Sequence, residues 1–237
     1  MVETLTKSNP LVTDIWVKAS WQDYLTFAGD PAYDKGRCYY NNGWMRIEMA
    51  ALGPLHGREN SIVSTLISLF ATLKNIRVVV LTNTSFRKTG ISDSQPDIAF
   101  YLGENFQLPA QENQPVDVNQ YGAPQLVVEI ASTSLDDDLG RKRLLYEQLG
   151  VAEYWVVDVV AKEVTAFEVG EGRSGQIRSS QVLPELTMAV VEEALRRSET
   201  EDDGAINRWL LQTLSGAEKS VEPQPAPPSP FSANASR

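Results

Sequence analysis

The sequence contains one cysteine and one histidine in 237 residues, and these two shortages exclude several classes of protein. Cys38 alone cannot form an internal disulfide or a cysteine-based metal site. His56 alone cannot supply the paired histidines of zinc proteases, phosphoesterases or bis-histidine haem sites, and no GxSxG motif accompanies it for a serine triad. A hydrolytic metal site must therefore consist of carboxylates, which favours Mg²⁺ or Mn²⁺ over zinc.

Long apolar runs and an excess of positive charge are also missing. No stretch of about 18 apolar residues occurs, and the first ten residues, MVETLTKSNP, lack the apolar core of a signal peptide. We therefore expect a soluble, cytoplasmic protein without a membrane partner. The formal net charge of −10 opposes broad electrostatic attraction to nucleic acid, so it counts against a nuclease.

Hydrophobic residues make up 42% of the chain, which allows a sizeable core. We predict a flexible leader over residues 1–13, a single domain over 14–214 and a disordered, Pro/Ser-rich tail over 215–237. The domain should contain a β-hairpin turning at Asn41-Asn42-Gly43, several strands, a loop and helices. The main predicted segments are strands at 76–88, 94–102, 125–132, 153–160 and 163–170, a loop at 103–123, and helices at 57–74 and 135–149. This order predicts an α/β domain with a mixed central sheet flanked by helices and an N-terminal hairpin.

The strand QLVVEIAS carries an unexpected carboxylate. Its apolar residues show no polar alternation, which indicates a strand buried on both faces. Glu129 inside such a strand costs several kcal/mol unless it is paired or binds a metal. Glu129 is therefore a candidate metal ligand.

The predicted helix 135–149 carries a lysine on its apolar face. At about 100° per residue, Lys142 lies in a stripe of apolar and aromatic residues formed by Leu135, Leu139, Tyr146 and Leu149. A lysine that faces the core needs a partner, and Glu129 on the preceding strand is the nearest candidate in sequence. The alternative is a lysine that snorkels past the sheet edge.

Three further residues are candidates. Asp97 follows Pro96 and opens a strand, although many turns contain a Pro-Asp pair. Glu59 shares a face of the helix 57–74 with apolar residues, but the helix dipole also favours acids in a first turn. His56, just ahead of that helix, is more often a cap or a half-buried histidine than a catalyst. We retain Glu59 and His56 as accessory candidates.

Asp97, Glu129 and Lys142 together are the parts that metal-assisted phosphodiester hydrolysis requires. The two acids can hold Mg²⁺, which polarises the scissile phosphate and lowers the pKa of its water. Lysine can orient that water or offset charge.

Several stretches extend this pattern. Pro-Asp followed by a glutamate in an apolar strand resembles the PD-(D/E)XK nuclease pattern. In order along residues 20–195, the chain also resembles the Uma-two family of restriction-type endonucleases, common in cyanobacteria. The matching stretches are NNGWMRIEMA, GPLHGRENSIV, TNTSFRKTG, SQPDIAFYLG and LVVEIASTSLDDDLGRKRLLYEQLGVAEYWVVD.

The resemblance implies a restriction-endonuclease-like fold and a set of roles. It assigns Asp97 and Glu129 to the metal and Lys142 to the water or phosphate, and Glu59 matches the first-helix acid of the superfamily. Ala131 departs from the parent motif, which has lysine two residues after the glutamate. The Uma-two pattern resembles a version of the motif in which this lysine lies on the following helix. Lys142 occupies that place.

The leading hypothesis is a Mg²⁺-dependent DNA endonuclease, with Mn²⁺ as a substitute and a homodimer as the form that cuts both strands. The alternative is an inactive or repurposed nuclease-fold module for binding or regulation. A hydrolase of another phosphoester is a third class that the sequence does not exclude. The run LDDDLG could repel phosphate, recruit metal or cap the helix. A local basic rim could still attract DNA, formed by Arg77, Arg87, Lys88, Arg141 and Arg143.

Overall fold

The computed structural model describes residues 12–216, which form two six-stranded sheets flanked by helices. The strands are β1 (Val17–Lys18), β2 (Arg37–Asn41), β3 (Trp44–Glu48), β4 (Val78–Thr82), β5 (Phe86–Lys88), β6 (Ser92–Ser94), β7 (Ile98–Leu102), β8 (Val116–Asp117), β9 (Leu126–Ala131), β10 (Glu153–Asp158), β11 (Glu163–Gly170) and β12 (Arg173–Ile177). The helices are α1 (Trp21–Ala28), α2 (Pro54–Leu73), α3 (Val118–Tyr121), α4 (Leu135–Asp137), α5 (Arg143–Leu149), α6 (Met188–Arg197) and α7 (Asp203–Leu214). A π-helical turn (Asp138–Lys142) joins α4 to α5. Most of the predicted leader and tail, residues 1–11 and 217–237, lies outside the described residues.

The first sheet contains the predicted hairpin, β2 and β3, in the strand order β1-β3-β2-β6-β5-β8. Asn42 and Gly43 have φ angles of 44° and 86°, the left-handed pair that a tight hairpin turn requires. Met45 and Ile47 of β3 are buried against α1, so the alternate residues of that strand face the other way.

The second sheet has the order β12-β11-β10-β9-β7-β4. Strands β9 and β10 are parallel, and the helical segment from α4 to α5 makes the crossover that such a pair needs. All other neighbours in this sheet are antiparallel. The predicted helix 135–149 is this segment, and Gly150 (φ 93°) ends it in the left-handed conformation, as the sequence predicts.

Strand β9 separates two apolar clusters, one on each face of the second sheet. Leu126, Val128 and Ile130 pack with α2, α6 and α7. Val127 and Ala131 pack on the other face, in the cluster that holds α5 and the first sheet. Because side chains alternate along a strand, Glu129 projects to this second face, between the two sheets.

Several short elements differ from the prediction. The prediction of a single strand over 76–88 is wrong. β4 and β5 lie in different sheets, and the extended conformation is interrupted between them at Asn83 (φ 49°). The loop predicted over 103–123 contains β8 and α3. Strands β6 and β12 have no counterpart in the prediction, because polar strands of three to five residues leave no apolar pattern.

The long helix α2 begins earlier than predicted. Pro54 occupies its first turn, where a missing N–H costs no hydrogen bond. His56 therefore lies inside the helix rather than ahead of it. Between residues 12 and 216, none of the helices combines the length and apolarity that a membrane crossing requires.

Candidate active site

Asp97 and Glu129 occupy opposing positions on neighbouring strands. In the antiparallel pair β7–β9, Ile98 lies opposite Val128 and Ala99 opposite Val127. Continuing this register by one residue places Asp97 opposite Glu129, on the same face of the sheet as Ala99 and Val127. Directly opposed residues have Cβ atoms about 5 Å apart, so the two carboxylates converge on one region.

Asp97 is 1% exposed and is held by three groups. Its Oδ1 lies 2.6 Å from a guanidinium nitrogen of Arg37 and 3.2 Å from Nε2 of His56. The backbone N–H of Ile130 donates a hydrogen bond of 2.7 Å to its Oδ2. Burial raises the pKa of Asp97, but His56, Arg37 and this backbone bond outweigh it and lower the pKa to about 2. Asp97 is therefore ionised at neutral pH.

Glu129 is also 1% exposed but is less well compensated. The Tyr146 hydroxyl donates a hydrogen bond of 2.6 Å to its Oε1, and the Lys142 ammonium lies 3.7 Å from the same atom. Burial raises the pKa of Glu129 well above 4.5 against the lowering effect of Lys142, and the negative charge of Asp97 raises it further. The burial of Glu129 is thus less fully compensated than that of Asp97.

Lys142 projects from the π-helical turn into the same region. Its 1% exposure shows that it does not snorkel to solvent. The ammonium lies 2.9 Å from Asp138, one turn back, and 3.0 Å from Glu48 on β3. Burial lowers the pKa of Lys142, but the surrounding negative charge, led by Glu129, outweighs it and raises the pKa well above 10.5. The ammonium therefore stays charged.

Glu48 and Arg37 complete the cluster, and sequence reasoning missed both. They are cross-strand partners in the predicted hairpin, and their side chains form an ion pair of 3.2 Å. Arg46 lies 3.0 Å from the other oxygen of Glu48. Burial raises the pKa of Glu48, but the positive charges of Lys142 and Arg37 outweigh it and lower the pKa. Their only sequence signal is a pair of charges in the hairpin, of the kind found in many exposed hairpins.

An open cleft of about 260 Å³ gives access to this cluster. Arg37, Glu48 and His56 line it, together with the segment that follows β9, residues 132–134. Asp97, Glu129 and Lys142 lie behind this layer. A substrate in the cleft would therefore meet Arg37 and His56 first.

Glu59 lies in a separate cluster. Its Oε1 is 2.6 Å from the ammonium of Lys162 and accepts a hydrogen bond of 2.8 Å from Ser198. Ser198 ends α6, which packs on the opposite face of the second sheet from Glu129, and Lys162 lies in the turn between β10 and β11. Of the five predicted residues, the structure brings together Asp97, Glu129, Lys142 and His56, and it gives Glu59 other partners.

The acidic run 136–138 contributes to the cluster in part. Asp138 binds Lys142 and accepts a hydrogen bond of 2.6 Å from Ser134. Asp137 accepts a hydrogen bond of 2.6 Å from the Trp16 indole and lies 3.3 Å from Arg46. Two of the three aspartates therefore bind cationic or polar side chains of the chain itself.

The residues predicted as a basic rim all have local partners. Arg87 binds Asp93 at 2.5 Å, Arg143 lies 3.9 Å from Glu147, and the other three contact backbone oxygens or aromatic rings. Arg141 and Arg143 are the members nearest the cluster in sequence, since they flank Lys142.

The donor chemistry of the cluster fits Mg²⁺, which takes oxygen ligands. Glu48 and Asp97 already share one cation, the Arg37 guanidinium, so both reach a common positive charge. Glu129 is the carboxylate left short of such charge. Among the described residues, no group of three or more His, Cys, Asp or Glu side chains is already arranged to hold a metal. Metal binding would therefore require Arg37 to release its carboxylates.

Comparison with known proteins supports the same class of activity. The model of the Uma2 family, described as "Putative restriction endonuclease", matches residues 21–203. The chain belongs to the Uma2 family. This match covers most of the chain and confirms the resemblance seen in the sequence. No curated protein matches the chain.

A solved structure shows a related fold. It is the crystal structure of a "putative nuclease belonging to DUF820 from Anabaena variabilis". The TM-score is 0.50 and the sequence identity 16%, over 75% of this Uma2 chain and 99% of that chain. At this identity the likeness concerns the fold, and it confirms the predicted fold class. The family match is what supports a nuclease.

Proposed function

We propose that this Uma2 protein is a Mg²⁺-dependent DNA endonuclease, with Mn²⁺ as a substitute. Asp97 and Glu129 hold the metal and Lys142 assists. The observation that carries the proposal is the placement of Asp97 opposite Glu129 on one sheet face, with the Lys142 ammonium 3.7 Å from Glu129. Paired carboxylates and a lysine on one side of a cleft are the groups that metal-assisted phosphodiester hydrolysis uses.

The metal, when bound, would polarise the scissile phosphate and lower the pKa of the attacking water. The chain's own residues have distinct roles. Lys142 keeps its proton, so its ammonium acts as a fixed positive charge for the water or a phosphate oxygen. Glu48, which lies between Arg37 and Lys142, is a third oxygen donor.

Arg37 and His56 would bind the phosphate. Both line the cleft and both contact Asp97. If Asp97 and Glu48 held a divalent ion, the Arg37 guanidinium would be able to donate hydrogen bonds to non-bridging phosphate oxygens. A planar guanidinium suits this task because it can donate two parallel bonds. Local positive charge at the cleft would then attract DNA in spite of the net charge of −10.

A second reading is a nuclease-fold module that binds or regulates without cutting. One observation favours it: the buried carboxylates of the cluster already have cationic partners in Arg37 and Lys142. An ion network of this kind can be purely structural. In that case metal would neither bind the cluster nor stabilise the protein.

A cleavage assay tests the proposal. Supercoiled plasmid and single-stranded oligonucleotide are incubated with the protein in Mg²⁺, Mn²⁺ or EDTA. We expect cleavage that depends on the metal and falls about 100-fold or more in Asp97→Asn. Asp93→Asn is the matched control, because Asp93 is also buried and paired to an arginine but lies in the first sheet. Equal rates in the two variants, or cleavage in EDTA, would refute the assignment.

We also propose that the protein is cytoplasmic and that it forms a homodimer. A dimer would provide the two sites that cutting both strands of a duplex usually takes. Light scattering coupled to size-exclusion chromatography measures the mass. A monomer that still makes double-strand breaks would contradict the dimer.

A further inference from the structure

A second open pocket, of about 370 Å³, lies beside the π-helical turn. We call it the tryptophan pocket, and it is lined by Trp16, Asn41, Asn42, Trp44, Arg141 and Leu144. Leu144 is 50% exposed and the two tryptophans are half-buried. The pocket therefore combines two partly open aromatic surfaces with amide groups and an exposed arginine.

Arg141 lies against both rings. Its guanidinium carbon is 4.3 Å from the ring centre of Trp44 and 5.9 Å from that of Trp16. The Trp16 indole is fixed by its hydrogen bond to Asp137. Trp44 belongs to the regular strand β3. The aromatic surfaces are thus held by the fold. The Lys18 ammonium also lies over Trp44, 5.5 Å from its ring centre, so a flat ligand would stack on the Arg141 guanidinium or take the place of one of these cations on the ring.

The tryptophan pocket is connected to the candidate active site through one strand. Trp44, Arg46 and Glu48 project from the same face of β3, because side chains alternate along a strand. Trp44 and Glu48 are therefore separated by about 13 Å along the strand, at about 3.3 Å per residue. That distance spans about four nucleotides of a stacked DNA strand, at about 3.4 Å each, and fewer of an unstacked one.

The helical segment makes the same connection from the other side. Arg141 faces the tryptophan pocket, and the next residue, Lys142, faces the carboxylate cluster. This turn thus joins the tryptophan pocket to the carboxylate cluster behind the cleft.

We propose that the tryptophan pocket binds an unpaired nucleobase of the DNA strand whose phosphate enters the cleft. Bases stack on tryptophan and arginine faces whatever their identity, and amides can bond to their polar edges. A base stacked within a duplex cannot reach such a surface, so the pocket favours single-stranded or locally opened DNA. This inference rests on the proposed nuclease function and adds the form of DNA that the site prefers.

The test measures binding of two fluorescein-labelled oligodeoxynucleotides, one single-stranded and one a blunt duplex, by anisotropy in Ca²⁺. Trp44→Leu should weaken single-strand binding about 10-fold or more, a modest value for the loss of one stacked base. Duplex binding should stay within about two-fold. Trp44→Tyr should keep single-strand affinity because it retains a stacking ring.

Trp209→Leu is the matched control. Trp209 also lies under an arginine, with Arg197 at 4.5 Å from its ring centre, but it belongs to α7 on the other side of the second sheet. Its replacement should leave DNA binding unchanged. Thermal melts establish that each variant is folded.

Three results would overturn the inference. Trp44→Leu could bind single strands as well as wild type, or it could lose duplex and single-strand affinity equally. An oligonucleotide of abasic sites could bind as tightly as the normal one. If wild type cleaves DNA while any of these holds, only the base pocket is wrong. If wild type neither binds nor cleaves DNA, the proposed nuclease function is wrong as well.

Discussion

Arg37 holds Asp97 through an ion pair of 2.6 Å, at the position where the proposed reaction needs the carboxylate to hold a metal. The same guanidinium lies 3.2 Å from Glu48. One guanidinium thus bridges two buried acids, and Glu48 is also paired with Lys142 and Arg46. Arg37 and the proposed metal would therefore compete for these carboxylates.

Replacing Arg37 should expose this competition. Arg37→Met leaves Asp97 and Glu48 short of positive charge, so the metal-free protein should lose about 3 kcal/mol of stability. Mg²⁺ should restore part of that loss, because a ligand that binds the folded state stabilises it. Thermal melts over a Mg²⁺ titration should show a larger rise in melting temperature for Arg37→Met than for wild type.

Arg87→Met is the matched control for that experiment. Arg87 also pairs with a buried aspartate, Asp93, but within the first sheet and away from the cluster. Its loss should lower the melting temperature without changing the response to Mg²⁺. An equal response in both variants would show that Arg37 does not share its carboxylates with a metal.

Lys142 should have separable structural and chemical roles. Lys142→Met leaves three buried carboxylates without their ammonium, which should cost about 3–5 kcal/mol and abolish cleavage. Adding Asp138→Asn removes one of these charges, so the double variant should regain part of the stability. It should not regain activity. Urea unfolding and cleavage rates measure the two effects, and a double variant that cuts like wild type would make Lys142 purely structural.

The sequence predicts the part of the site that lies in long, regular elements. Glu129 interrupts an apolar strand and Lys142 an apolar helical stripe, so each violates a local pattern that can be read directly. Glu48 and Arg37 violate none. Their importance arises because the first sheet packs against the second and brings Glu48 of β3 to Lys142, 94 positions further along the chain. No local rule encodes that contact.

The fold shows the same division. The helices and the long strands follow the predicted apolar periodicity, whereas β6 contains Ser92, Asp93 and Ser94 and has no apolar residue. It is nevertheless buried. Its backbone pairs with β2 on one side and β5 on the other, so the apolar pattern is not needed to place it in the sheet. The break between β4 and β5 had a weak signal in the sequence Thr-Asn-Thr, since asparagine tolerates positive φ.

Asp93 should make stability depend on pH. Burial raises its pKa from 3.8 to about 6 against the opposing effect of Arg87. Between about pH 4 and pH 6 the unfolded chain therefore releases a proton that the folded chain keeps, and stability falls as pH rises through this window. Relative to Asp93→Asn, wild type should lose about 3 kcal/mol across it. Urea unfolding of both proteins at several pH values measures this change, and a constant difference would contradict it.

The proposed role of Glu129 in the metal site is tested by the cleavage rate of Glu129→Gln in saturating Mg²⁺, measured beside wild type and Glu59→Gln. Glu129 and Glu59 are both buried acids next to a lysine, so the two variants remove the same chemistry at different places. We predict that Glu129→Gln remains folded and loses cleavage by about 100-fold or more, together with the stabilisation that Mg²⁺ gives wild type. Glu59→Gln should lose stability but keep the wild-type cleavage rate and the stabilisation by Mg²⁺. A Glu129→Gln protein that cuts at the wild-type rate, or one that loses stability equally with and without Mg²⁺, would contradict the proposed metal site and make the cluster a structural ion network.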